Sequence, residues 1–143
     1  MPAEKALNEI YEAIANGPGW EKTALVVTFS KGGGLYDHVP PSKAINPWPN
    51  DINDGFTYNV LGPRVPAIVV SPWVNENTVF RSPGETPLSA TSMPATLLEW
   101  FGIPKARWGL GDRVPSSETF EAVFQRKQPR TDKPTFPVPY DKS

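Results

Sequence analysis

The residues with chemistry in them sit in one stretch. An apolar run, Ala24 to Phe29, ends abruptly in Ser30, Lys31, Gly32, Gly33 and Gly34, and Leu35, Tyr36, Asp37 and His38 follow before Val39 and two prolines. In an open α/β sheet, ligands bind just beyond the carboxyl ends of parallel strands, so this is where a sheet enzyme would keep its chemistry. His38 is the single histidine of the chain. Backbone N–H groups of a glycine run can cradle an anion, and Lys31, Gly33, Gly34, Asp37 and His38 are the candidate ligand-binding residues. Each also has a simpler reading. The glycines have no following helix and no Gly-Lys-Ser/Thr ending, so they are not a P-loop, and a tight turn out of the strand is favoured. No Gly-x-Ser-x-Gly elbow is present, so Asp37 and His38 form no triad. They are expected to order the loop by hydrogen bonding, with a residual ligand role as the alternative. No residue is assigned a catalytic role.

Other candidates are weaker. Asn50 to Gly55 hints at a calcium loop, but Gly55 falls where a ligand should and no late Glu completes the spacing, so a turn is expected. Arg64 and Arg113 could meet phosphate. The tryptophans Trp20, Trp48, Trp73, Trp100 and Trp108 read as core or loop anchors. The chain has no cysteine, which excludes disulfides, thiol catalysis and thiolate metal sites. Its net charge of -1 creates no global basic field for nucleic acid, and the mildly basic tail Arg126–Ser143 reads as a solvated end. No apolar run approaches the ~20 residues that a membrane span needs.

The elements that would position these residues are short. Leu7, Ile10, Tyr11 and Ile14 give one apolar face to a helix over Ala3–Asn16, ended by Gly17 and Pro18. Ala24–Phe29 and Arg64–Val70 read as strands apolar on both faces, the pattern of buried parallel strands, with Pro66 suited to the opening of the second. A helix over Met93–Phe101 is predicted, with Thr91 or Ser92 as N-cap and Gly102 as its stop. A last helix over Glu118–Lys127 is predicted, capped by Ser116 or Ser117, with Phe120, Val123 and Phe124 on one face. Pro129–Ser143 reads as extended. The 18 prolines of 143 residues, against an average of about 5%, point to short elements joined by long, stiff loops. Two strands that need neighbours on both sides make a poor closed sheet.

In order along the chain, YEAI…GPGWEKTALVVTF, GGGLYDHVPP, LGPRVPAIVVSPWV, TSMPATLLEWFGIP, ETFEAVF and PRTDKP resemble the C-terminal part of the phosphoesterase family. This family includes phosphatidylcholine-type phospholipases C, bacterial acid phosphatases and plant non-specific phospholipases C. The resemblance covers nearly the whole chain and rests on the order and spacing of all six segments. It implies an α/β fold, a partial alkaline-phosphatase-like sandwich of few parallel strands with flanking helices and long Pro/Gly-rich loops. The implied activity is phosphoric ester hydrolysis with a divalent metal. For Arg64 and Arg113 the resemblance implies structural ion pairing instead of a phosphate contact.

The departures are specific. Family members usually read Tyr-Asp-Glu-His-Gly-Gly after the first strand, and the Asp-Glu pair binds the metal. Those positions and the following His are Ser30, Lys31 and Gly32 here. Hard cations want carboxylate oxygens; a hydroxyl is a feeble replacement and an ammonium repels the ion. Lys31 is either a solvated strand-end lysine or an ammonium that fills the vacated metal position. A second family signature, an acid and a His before the Ser-Ser-Ile-Pro helix, falls on Ser89 and Ala90. The family's Glu-Asn-Arg-Ser-Phe-Asp-His motif and nucleophile lie in an N-terminal half not represented in these 143 residues. The expectation is a single segment over 1–143, incomplete relative to the family domain, with no cofactor of its own and inactive alone. It would act as a homo-oligomer or a subunit of a larger assembly. The alternative is the C-terminal part of a hydrolase completed by another chain or half. The compartment is not indicated.

Overall fold

A computed structural model describes residues 2–51 and 55–136. The calcium-like segment Asn50–Gly55 therefore lies partly, and the end of the tail Pro129–Ser143 largely, outside the described residues. The element order is helix α1 (Pro2–Ala15), strand β1 (Leu25–Thr28), strand β2 (Ala67–Val70) and helix α2 (Ser92–Trp100), with short 3-10 turns at Trp20–Lys22, Lys105–Arg107 and Glu121–Val123. Among the described residues, no helix is long and apolar enough to cross a membrane. Packing divides the chain into two compact units: 1–27 with 67–78 and 124–143, and 28–66 with 79–123.

In the first unit, α1 packs through only one edge of its apolar stripe. Tyr11 and Ala15 are buried with Trp20, and Ile14, Leu25 and Val70 close around them. Leu7 and Ile10 of the same stripe remain exposed. Tyr11 meets Trp20 edge-on at 6.2 Å between centroids and Phe136 at 5.0 Å, arrangements that suit the ring quadrupoles. Its hydroxyl donates to the Pro134 carbonyl at 2.6 Å, so the aromatic body is buried while its polar tip is satisfied. The helix ends where Gly17 donates back to the Ile14 carbonyl and Pro18 blocks continuation.

The two strands form one two-stranded sheet. They run antiparallel, not parallel as the apolar runs suggested. The side-chain bonds at their ends show the register: the Thr28 hydroxyl donates to the Pro66 carbonyl, and the Ser71 hydroxyl donates to the Thr23 carbonyl. The chain leaves the end of β1 and returns beside that same end, which only antiparallel pairing permits. The strands are also not buried on both faces: Thr28, Ala67 and Ile68 are exposed and the remaining strand residues only partly covered. A two-stranded ribbon has no sandwiching layers to supply that burial.

In the second unit, α2 starts after Thr91 and ends in a Schellman motif. Gly102, at φ +64, donates to the Glu99 carbonyl, and Ile103 donates to the Leu98 carbonyl. Leu98 and Ile103, the apolar pair that this motif favours, both pack on the core of Ala95, Trp108 and Val114. Trp108 directs its indole N–H to the Ile103 carbonyl at 2.7 Å. Thr96, fully buried, donates to the Ser92 carbonyl and accepts from the Phe120 backbone N–H at 3.1 Å.

The helix expected over Glu118–Lys127 is replaced by the single 3-10 turn Glu121–Val123. Phe120 and Val123 are nevertheless buried. The Arg126 backbone N–H, which a helix would direct to the carbonyl four residues back, goes instead to the Trp73 carbonyl within the first unit, and Phe120 donates to Thr96. The expected caps turn backwards as well, Ser116 and Ser117 donating to the Asp112 and Arg113 carbonyls.

Candidate functional site

The loop after β1 is a tight turn followed by a clasp. Gly32 lies against Pro63, where an added Cβ would come within 3.2 Å of the proline ring. Gly33 and Gly34 take φ of +68 and +76, and Leu35 donates to the Gly32 carbonyl across them. Positive φ at both central positions is the pattern of a primed β-turn, which side chains other than glycine adopt at a cost. The turn reading of this glycine run therefore holds. Leu35 and Tyr36 at its exit are 81% and 91% exposed.

Asp37 is the organiser of the loop. Its carboxylate accepts four hydrogen bonds: from Arg64 Nε at 2.9 Å, Arg64 Nη2 at 2.7 Å, the Arg64 backbone N–H at 3.2 Å and the Val39 backbone N–H at 3.0 Å. The two-pronged guanidinium contact is the strong, geometrically specific form of this pair. Hydrogen bonding from Arg64, then from the Val39 amide, holds the Asp37 carboxyl well below the usual carboxylate range. Asp37 thus makes the loop-ordering hydrogen bonds expected of Asp37 and His38, with Arg64 and Val39 as its partners. His38 stands 3.9 Å away through Nδ1, beyond hydrogen-bond reach, with its side chain largely exposed. Ser30 and Lys31 are exposed at the head of the turn.

A second cluster lies beside the start of α2. Lys43 and Arg113, with Thr86, Ser89, Thr91 and Ser117, line a pocket of about 260 Å³. Lys43 is held by a short antiparallel bridge to Val60, flanked by bonds from Ala44 to the Asn59 carbonyl and from Leu61 to the Ser42 carbonyl. Arg113 makes no ion pair among the described residues; it donates to two neutral carbonyls, those of Ile45 and Tyr58. That corrects the structural ion pairing expected of Arg113, whereas Arg64 does form one. Tyr58 has a positive φ of 47, an unusual conformation for a residue with a side chain, and its carbonyl accepts from the Arg113 guanidinium. Ser89 is in this pocket, and the hydroxyls of Ser89, Thr91 and Ser117 touch in series at 2.8 and 2.7 Å. Nothing in the sequence placed Lys43 or Ser117 at a site: Lys43 belongs to no motif, Ser117 read only as a helix cap, and Thr91 and Ser117 are 26 residues apart. Ser30 to Gly34 do not line this pocket.

The donors do not suit a divalent metal. Among the described residues, no group of three or more His, Cys, Asp or Glu is placed to hold one. Ser30, Lys31 and Gly32 contribute no carboxylate, and both Asp37 oxygens are committed to Arg64 and Val39.

The phosphoesterase family model matches residues 2–104. This chain belongs to the phosphoesterase family. It is similar to non-specific phospholipase C3 of Arabidopsis thaliana, with 36% identity over 94% of this chain and 27% of the relative. Non-specific phospholipase C1 of the same plant is 38% identical over 92% of this chain and 26% of the relative. A non-hemolytic phospholipase C of Burkholderia pseudomallei is 33% identical over 47% of this chain and 12% of the relative. The chain thus spans about a quarter of the length of the plant relatives it matches.

Proposed function

We propose that this chain is a degenerate phosphoesterase that is inactive alone and serves as a binding or assembly component. One observation carries the reading: the loop that resembles the family's metal signature has only the Asp37 carboxylate, and Arg64 and Val39 occupy both of its oxygens. No hydrolytic step is derived through a metal, because hard cations need several oxygen donors at once and these positions do not provide them. The loop keeps a fixed shape and offers Lys31, His38, Leu35 and Tyr36 to solvent. In this reading Gly33, Gly34 and Asp37 set that shape, and Lys31 and His38 meet a ligand or partner.

A second reading has its own support. Relatives that match nearly all of this chain are named phospholipases C and are about four times its length. The chain would then be the C-terminal part of a phosphoester hydrolase, with nucleophile and metal ligands supplied by another half. Hydrolysis of para-nitrophenyl phosphate and of phosphatidylcholine, with calcium, magnesium or zinc added, separates the two. The chain alone is expected to show no turnover above background. Metal-dependent turnover by the chain alone contradicts the first reading; turnover only after adding a family N-terminal half establishes the second.

A further inference from the structure

We infer that the pocket beside α2 is a metal-independent binding site for a phosphate group, held by Lys43, Arg113 and the Ser89 hydroxyl. The inference rests on the proposed loss of metal chemistry and gives the resulting binding function a place.

The charge balance of the pocket is one-sided. Two cations line it and no acidic residue does. Arg113 has five N–H donors, and its two carbonyl bonds use one at Nε and one at Nη2, which fixes the guanidinium plane and leaves the others for a ligand. Lys43 has an exposed side chain and no ion-pair partner among the described residues, and its backbone is fixed by the bridge to Val60.

The hydroxyl chain has a direction. Ser117 donates to the Arg113 carbonyl at 2.8 Å. Its proton is therefore used, so Thr91 must donate to Ser117, and Ser89 must donate to Thr91. Ser89 is the open end. Its hydroxyl can turn to an incoming oxyanion at the loss of one neutral hydrogen bond, and a hydrogen bond to a charged acceptor is roughly twice as strong. Thr91 keeps its bond to Ser117 when this happens.

Size limits the ligand. At about 260 Å³ the pocket is smaller than the ~300–1,000 Å³ clefts that hold drug-sized molecules. It suits a phosphate group, either free or as the exposed end of a lipid headgroup. An acid at the Ser89 position would attract a cation; a lining with Lys43, Arg113 and a hydroxyl there, and no acid, attracts an anion.

The test is calorimetric titration of the full chain with inorganic phosphate in chelator-treated buffer, repeated with phosphatidylcholine vesicles containing phosphatidic acid. Binding without metal is expected. Lys43→Gln should weaken it at least tenfold, Ser89→Ala several-fold, and Lys5→Ala should leave it unchanged, since the exposed Lys5 on α1 does not line the pocket. Lys43 is exposed, so its replacement tests charge and not folding. Tighter binding to vesicles than to free phosphate, with the same Lys43 dependence, assigns the ligand to lipid; equal or weaker binding assigns it to soluble phosphate. Absence of binding, or binding insensitive to Lys43→Gln, overturns the inference and leaves the proposed inactivity standing. Binding that appears only with an added divalent cation overturns both.

Discussion

Asp37 shows how one side chain can keep its identity and change its work. A carboxylate beside a histidine suggests acid–base chemistry, yet here Arg64 takes both oxygens and His38 is left in solvent. Because the folded-state pKa is lowered, the clasp contributes its full stabilisation above the unfolded carboxylate value of about 3.9 and loses it as pH falls below that. The amide resonances of Val39 and Arg64, both bonded to Asp37, are therefore expected to stay constant through the ordinary carboxylate range and to shift together only at lower pH, where the folded-state carboxyl protonates. Asp37→Asn should produce the low-pH positions at pH 7. Gly33 and Gly34 make a second prediction at this scale. Each is left-handed, so Gly33→Ala or Gly34→Ala should cost about 1–2 kcal/mol in chemical denaturation. The spaces around both are open, so strain and not collision is the cause. Ser30→Asp combined with Lys31→Glu restores two carboxylates and is expected to raise calcium affinity measurably over the parent chain in equilibrium dialysis.

Among the elements, α2 depends on a buried polar joint. Thr96 links the Ser92 carbonyl to the Phe120 amide, and Thr96→Val would remove the hydroxyl that makes both bonds. A loss of about 1–3 kcal/mol in denaturant unfolding is expected, with a smaller loss for Thr96→Ser, which keeps the oxygen. Such joints also mark where the sequence was and was not readable. Periodicity and stop residues located α1, α2 and both strands, because Gly17-Pro18 and Gly102 act locally on their own backbones. The direction of strand pairing was not legible: an apolar run gives burial preference but not the partner's orientation. The segment after Ser117 has a helical apolar spacing, yet the Arg126 donor goes to the Trp73 carbonyl and Phe120 donates to Thr96, partners far away in sequence. The loop's departure from the family pattern could be read residue by residue at Ser30, Lys31 and Gly32. The pocket could not, because Lys43, Ser89 and Ser117 come together only on folding.

For the molecule as a whole, the notable feature is apolar surface left in water. Phe29, Ile68, Val79 and Phe101 are 61%, 58%, 87% and 75% exposed, and Leu7 and Ile10 leave part of the α1 stripe open. Soluble monomers rarely present large continuous apolar patches, and a two-stranded ribbon leaves strand edges unpaired. The proposal of an assembly role predicts concentration-dependent self-association in sedimentation velocity, reduced by Ile10→Glu or Ile68→Glu. A single monomeric species across micromolar concentrations, unchanged by either substitution, would count against it. The central claim, that this phosphoesterase-family chain has lost its own metal chemistry and retains binding and assembly surfaces, is tested most directly by native mass spectrometry of the protein isolated from its source. The account predicts a metal-free chain within a homo-oligomer or a larger complex. A monomer carrying a stoichiometric divalent ion would contradict it.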